Sequence, residues 1–306
     1  MQWDKLVRRS TSDQRIQGIP FRTGGPACSA TPAPRCFVMP VATDERVPSA
    51  TPNATSPDSR TAASIAVAAD AARGDGKRDY VQQMFSDIAP RYDLLNHVLS
   101  MNIDRAWRVA ALRALSWRDR PQGTYLDLCA GTLDVGAMLT KQSGFGGFVV
   151  GADFAVPMLR HGHGKAPREV LSPVGADALA LPLADASVDG AIVAFGIRNV
   201  ADLDAGLREV RRVVRPGGRF VILEFSTPSN ALVRAGYHAY FHHVLPLIGR
   251  LVSGHRSAYT YLPMSVSHFP TGDDLADRMR RAGFDTVTWQ PLTLGIAALH
   301  VGQVSA

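Results

Sequence analysis

The chain is short of the features that announce several protein classes. Its 306 residues hold three cysteines, Cys28, Cys36 and Cys129, with no CxxC pair and no His/Cys cluster. That excludes a disulfide framework and a cysteine-based zinc site. No segment reaches the run of about 18 apolar residues needed to cross a bilayer. The most hydrophobic stretches, 191–197 and 244–252, are short or broken by Pro246 and Arg250. A net charge of +6 is modest for this length, and the basic residues are scattered instead of gathered into a stripe. Nucleic acid is therefore not expected as a partner. There is no GxGxxG run of the kind that cradles a dinucleotide. His238, His242 and His243 lie close together but have no carboxylate at ligand spacing, so no metal is expected.

Aromatics are also scarce in residues 1–76, where Trp3, Phe21 and Phe37 stand among prolines at 32, 34, 40, 48, 52 and 57. This composition predicts a disordered, dispensable N-terminal extension. Its acids, among them Asp4, Asp13, Asp44, Glu45 and Asp58, spoil the acid-poor signature of a transit peptide, and no apolar h-region marks a secretory signal. Residues 77–306 are read as one folded domain in a reducing cytoplasm.

In that domain the apolar pattern changes period. Val81, Met84, Phe85 and Ile88 recur at helical spacing before Pro90. From Thr124 onward, short apolar runs at 124–129, 147–153, 188–195 and 219–225 suit strands buried on both faces. Leu203, Leu207, Val210 and Val214 line one face of a helix expected to be closed by Pro216-Gly217-Gly218. A helical insertion over about 230–262, a helix over 273–282 and strands at 285–290 and 293–301 complete the pattern. This is an α/β chain with a doubly wound, mostly parallel sheet. The short last connection predicts a hairpin that places an antiparallel strand in it. Such an ending is typical of S-adenosylmethionine-dependent methyltransferases and unusual among dinucleotide dehydrogenases.

Ligands of open α/β sheets lie beyond the carboxyl ends of the strands, and four such ends carry suitable chemistry. The first strand runs into DLCAGTLDV (127–135), where Gly131 permits close backbone approach and Thr132 offers a hydroxyl near a helix start. Asp153 ends the second strand, about twenty residues on, where a carboxylate can accept bonds from both ribose hydroxyls. Asp177 and the Ala178 N–H follow a third strand and suit an adenine ring. The fourth strand delivers Ala194, Phe195, Gly196, Ile197, Arg198 and Asn199 to the same edge. With one central glycine left in the loop, Asp127, Gly131, Thr132, Asp153 and Asp177 carry the reading of a nucleotide-type cofactor jointly.

Longer segments carry a family likeness. FSDIAPRYDLLN (85–96), Trp107-Arg108, FGIRNVAD (195–202), the passage 208–228, YTYLPMSVSHFP (259–270) and LTLGIAALHVG (292–302) together resemble the ubiquinone/menaquinone biosynthesis C-methyltransferase family. The resemblance runs from about Tyr80 to Gly302. It implies a class I S-adenosylmethionine-dependent fold, a seven-stranded sheet with an antiparallel last strand, that methylates a polyprenylated quinol ring. Carried over position by position, it implies S-adenosylmethionine contacts at Thr132, Asp153, Asp177 and Ala178, and a backbone contact at Ala194. The family loop has glycines where this chain has Ala130 and Leu133. A left-handed leucine would cost about 1–3 kcal/mol, so a helical conformation is expected at Leu133.

For that reaction the ring hydroxyl must lose its proton, and the fixed charge of Arg198 would lower a phenol pKa, with Asn199 orienting the water that accepts the proton. Tyr92 and Asn96 are expected to close over the site, while Tyr240, Tyr259 and Tyr261 in the insertion hold the quinol. The mixed stretch 237–252 suits a bilayer interface, hence peripheral contact with the inner face of the membrane. The expected partners are the quinol, that surface and a second copy of the chain. The 265–270 stretch looks more like the menaquinone branch, which favours demethylmenaquinol. The ubiquinone-precursor benzoquinol, another small phenol or amine, a non-catalytic assembly subunit and, remotely, a dehydrogenase stay open as alternatives.

Overall fold

The computed structural model describes residues 77–89, 100, 102–240 and 256–306. The expectation for residues 1–76 lies outside them. Seven strands form one sheet: β1 (Thr124–Leu128), β2 (Phe148–Asp153), β3 (Leu171–Gly175), β4 (Val188–Ala194), β5 (Val214–Phe225), β6 (Thr286–Leu292) and β7 (Ala297–Gln303), in the order β3-β2-β1-β4-β5-β7-β6. The first five strands pair in parallel. β7 runs antiparallel to both β5 and β6.

The long apolar runs are explained by two core layers. Successive strand residues point to opposite faces, so Leu126, Val150, Val193 and Ile222 enter one layer, and Tyr125, Val149, Ile192 and Val221 the other. The first layer is covered by the helices Leu203–Val213 and Gly272–Arg281, here α5 and α8, through Leu207, Val210, Leu275 and Met279. The second is covered by Ile103–Ala114 and Asp134–Thr140, here α2 and α3, through Trp107, Leu112, Val135 and Leu139. Helix α1 (Lys77–Ile88), as the spacing predicts, packs Val81 and Met84 against Tyr261 of α7 (Arg256–Ser267). The two remaining helices are α4 (Val156–His161) and α6 (Ala231–Ala239). Among the described residues no helix is long and apolar enough to cross a membrane.

Two sequence expectations shift at their ends. Helix α5 does not run to the Pro-Gly-Gly turn but stops at Val213, and Val214 is already extended and paired with Val188. The next aligned pair is Gly190 with Arg219, so the Pro-Gly-Gly segment bulges out of β5, with Gly217 at φ 75°. Cross-strand pairing captures the chain before the turn does. Likewise, the last strand begins at Ala297, not at Thr293, because residues 293–295 all have positive φ and turn the β6–β7 hairpin.

Candidate active site

The loop from β1 to α3 is wound by three left-handed residues, Cys129 (φ 51°), Gly131 (52°) and Leu133 (65°). Its backbone is tied to the end of β2. Ala130 N donates to Ala152 O at 3.0 Å, and Gly131 N donates to Asp153 Oδ2 at 2.8 Å. The other oxygen, Asp153 Oδ1, accepts the N–H of Ala155 at 2.7 Å. Beneath the loop, Asp127 Oδ2 accepts Gly136 N at 2.8 Å, which satisfies one of the free donors at the start of α3.

The helical conformation expected at Leu133 is not the one found. Leu133 N donates to Ala130 O at 2.7 Å and Leu133 O receives Ala137 N at 2.9 Å, so the left-handed residue joins a tight turn directly to α3. Its side chain is 2 % exposed. A Cβ added to Gly151 would stand 2.3 Å from its Cδ2, so the leucine fills the space a glycine in β2 leaves open. Full burial of such a side chain is worth about 1.5–3 kcal/mol, comparable to the cost of about 1–3 kcal/mol for the backbone.

A cleft of about 750 Å³ opens where β1, β2, β3 and β4 end. Gly131, Asp153, Asp177, Ala178, Ala194 and Asn199 all line it, so the strand-end residues singled out in the sequence meet in one place. Asp127 and Thr132 do not line it: they are 1 % and 3 % exposed and lie under the loop, because the left-handed residues on either side of Thr132 turn it inward. Phe154 and Met158 add flat apolar wall. Among the described residues the lining holds two carboxylates and no Lys or Arg. Burial pushes the Asp153 carboxyl up to about 6, against the lowering effect of the Ala155 and Gly131 bonds. Asp177 Oδ1 accepts Leu179 N at 3.0 Å, which shapes the turn after β3.

A second cavity lies on the far side of the 197–201 turn and shares Val200 and Ala201 with the cleft. Arg198, Tyr261, Ser265, His268 and Arg278 supply its polar wall. Arg198 lies here, outside the lining of the first cleft, and its charge is committed: Nη1 is 2.6 Å from Glu224 Oε1, both side chains being buried. Tyr261 Oη donates to Asn199 Oδ1 at 3.0 Å and so links the two spaces. Tyr240 ends α6 and lines neither. Tyr92 and Asn96 lie outside the described residues, as does the side chain of Tyr259. Sequence reasoning missed Glu224, whose only signal is a lone acid near the end of an apolar strand. Phe195, placed at this edge by the sequence but given no role there, is held at φ 62° and packed between Trp107 and Phe225.

The model of the ubiE/COQ5 methyltransferase family matches residues 73–304. The chain belongs to this family. A Deinococcus radiodurans relative, named demethylmenaquinone methyltransferase, is 48% identical over 74% of this chain and 93% of its own length. The relative of the same name from Thermus thermophilus is 48% identical over 72% and 99%. One from Geotalea daltonii, named ubiquinone/menaquinone biosynthesis C-methyltransferase, is 43% identical over 74% and 97%. Among solved structures, the Haloferax volcanii methyltransferase in complex with the Trm112 activator is 18% identical, with a TM-score of 0.52 over 72% of this chain and 98% of that one. The [4+2]-cyclase SpnF, at 15% identity, has a TM-score of 0.54 over 74% and 96%. These two show the fold alone, whereas family membership makes this chain a methyltransferase.

The loop geometry generates an inverted substitution order. Leu133→Ala keeps the left-handed strain and opens a cavity, so it costs about 2–5 kcal/mol. Leu133→Gly opens the same cavity but removes strain of about 1–2 kcal/mol, so it is the more stable of the two. Urea denaturation of both variants checks this; at a helical position glycine would be the worse residue.

Proposed function

We propose that the protein transfers a methyl group from S-adenosylmethionine to a ring carbon of a polyprenylated quinol, with demethylmenaquinol as the acceptor. The observation that carries the reading is the pair of carboxylates, Asp153 and Asp177, which among the described lining residues face no Lys or Arg and suit a cationic nucleoside better than a phosphate-bearing dinucleotide. The names of the relatives at 43–48% identity favour the menaquinone precursor.

The residues present fit the donor. Asp153 would take the ribose hydroxyls, since each carboxylate oxygen keeps acceptor capacity beyond its one backbone bond. Asp177 and Ala178 would flank the adenine between Phe154 and Met158, and the 129–131 backbone and Ala194 would meet the amino-acid end. Bound there, S-adenosylmethionine supplies a methyl group already activated by sulfonium charge. The chain's own residues must align the acceptor, exclude water and help its hydroxyl ionise. In this reading the acceptor ring meets the methyl group at the rim where the cleft and the second cavity share Val200 and Ala201, and the Asn199–Tyr261 bond holds that rim in place. Arg198 favours the phenolate as a neighbouring cation.

A polyprenyl tail needs an apolar exit. The exposed large hydrophobic side chains among the described residues are Leu232 at 83 % and Leu294 at 75 %. Leu294 precedes Gly295, where an added Cβ would stand 3.3 Å from Pro228 Cα. Peripheral contact with a membrane through these exposed side chains belongs to the same proposal.

Two outcomes test it. Purified protein given S-adenosylmethionine and chemically reduced demethylmenaquinone forms menaquinol, read by mass; methylation confined to other phenols, or none, overturns the reading. The second concerns pH. The free Asp153 carboxyl titrates near 6, above the ordinary aspartate value, so its ionised form weighs against folding as pH rises from about 4 to 6. Ligand hydroxyls need that ionised form. Affinity for S-adenosylhomocysteine is therefore flat above about pH 7 and falls through 6, towards tenfold per unit. Asp153→Asn lowers affinity by about ten- to a hundredfold and abolishes that pH dependence, both read by calorimetry.

A further inference from the structure

Two glycines stand where the backbone does not ask for glycine. Gly151 lies inside β2, and Gly162 closes α4 at φ −78° and ψ −8°, a conformation open to any residue. Neither has positive φ. Both instead make room for the turn after β1. A Cβ on Gly151 would stand 2.3 Å from Leu133 Cδ2, and one on Gly162 would stand 2.5 Å from Thr132 O and 2.8 Å from Leu133 Cγ. Unbonded carbons settle at about 3.5–4.0 Å, so a side chain at either glycine would push this turn away. Leu133 is a knob in a socket whose walls are a strand and the end of a helix.

The socket joins the two halves of the cleft. On one side, Leu133 N donates to Ala130 O, and Cys129 and Gly131 of the same loop line the cleft. On the other, Phe154 and Met158 line it just before the helix end at Gly162, while Leu159 enters the core cluster that holds Leu133. Lys165, three residues past Gly162, pairs with Asp134 at the start of α3, a second link between the same two segments.

We propose that Leu133 is a positioning residue for the methyl donor: seated against Gly151 and Gly162, it fixes the span between the 129–131 backbone, which meets the amino-acid end, and the wall of Phe154 and Met158, which meets the adenine. The proposal rests on the donor reading above. A cleft already held at the right span binds a long ligand without having to order the loop. Without the knob, binding itself must order it, and fixing one backbone residue lowers affinity by a factor of about 5–30. A nucleoside that stops short of the amino-acid end touches one half alone and escapes that loss.

The test is calorimetry on the full-length protein with two ligands, S-adenosylhomocysteine, which spans both halves, and 5′-methylthioadenosine, which lacks the amino-acid end. Leu133→Ala should weaken the first about tenfold and leave the second within about twofold of the wild type. Leu133→Met, similar in volume, should keep the wild-type affinity for both. Gly151→Ala should split the ligands as Leu133→Ala does, because its Cβ displaces the knob. In the double variant Leu133→Ala/Gly151→Ala that clash is gone, and the new Cβ meets Ala130 Cβ at 3.5 Å and Leu171 Cδ1 at 3.7 Å. Its loss should therefore be smaller than the two single losses combined. Gly162→Ala presses on the Thr132 backbone, so Leu133→Ala should not relieve it.

A Leu133→Ala protein that loses both ligands equally, as a merely structural role would give, overturns the proposal, and so does one that loses neither. If that variant does not fold, Leu133→Gly takes its place. Hydrogen exchange of the ligand-free wild type decides separately: the Gly131 amide, bonded to Asp153, should be protected, and exchange at the rate of an open loop contradicts a preset span. A wild type that binds neither ligand would sink the donor reading, whereas one that binds both, with variants that do not split them, would sink only this proposal.

Discussion

The carboxylate of Asp153 holds the cleft at the ends of β1 to β4 together. It ends β2, receives Gly131 N from the neighbouring loop and receives Ala155 N from its own chain. Those two bonds fix the mouth of the cleft and leave lone pairs for a ligand. Burial raises this acid to about 6, and the two N–H donors keep the ionised form accessible. The alternating left-handed residues of the 129–133 loop can persist because their strain is offset elsewhere: by the bond to Asp153 at Gly131, and by a buried side chain at Leu133.

The two spaces at this sheet edge are built on different electrostatics. The cleft over β1 to β4 carries the carboxylates of Asp153 and Asp177 in its lining. The neighbouring cavity has two cations, Arg198 matched by the hidden acid Glu224 and Arg278 paired with Asp204. A buried pair of this kind adds little to stability, because the loss of hydration offsets the attraction, so its presence beside a cavity invites a chemical account. The sheet itself does not dictate that chemistry, since a [4+2]-cyclase shares its fold at 15% identity. Function lives in the side chains set on the strand ends.

Much of this was legible in the sequence, for identifiable reasons. Strands buried on both faces read as continuous apolar runs, and the short link before Ala297 forced a hairpin. The strand-end acids Asp153 and Asp177 were found because open α/β sheets gather ligands at one edge. What stayed hidden depends on contacts distant in sequence. Leu133 reads locally as a residue that must avoid positive φ, and only the empty space over Gly151 explains why it does not. Arg198 reads as a free charge until its partner, 26 residues on, is seen beside it. Thr132 reads as an open hydroxyl at the cleft until its burial is seen.

The central claim is that Asp153 positions loop and ligand at once, and a crystal structure with bound S-adenosylhomocysteine tests it most directly. The account predicts the two ribose hydroxyls on the Asp153 carboxylate, with the Gly131 and Ala155 bonds retained and the adenine beside Asp177 and Ala178. A ligand seated elsewhere, or an Asp153 that releases Gly131 to bind it, would contradict the account.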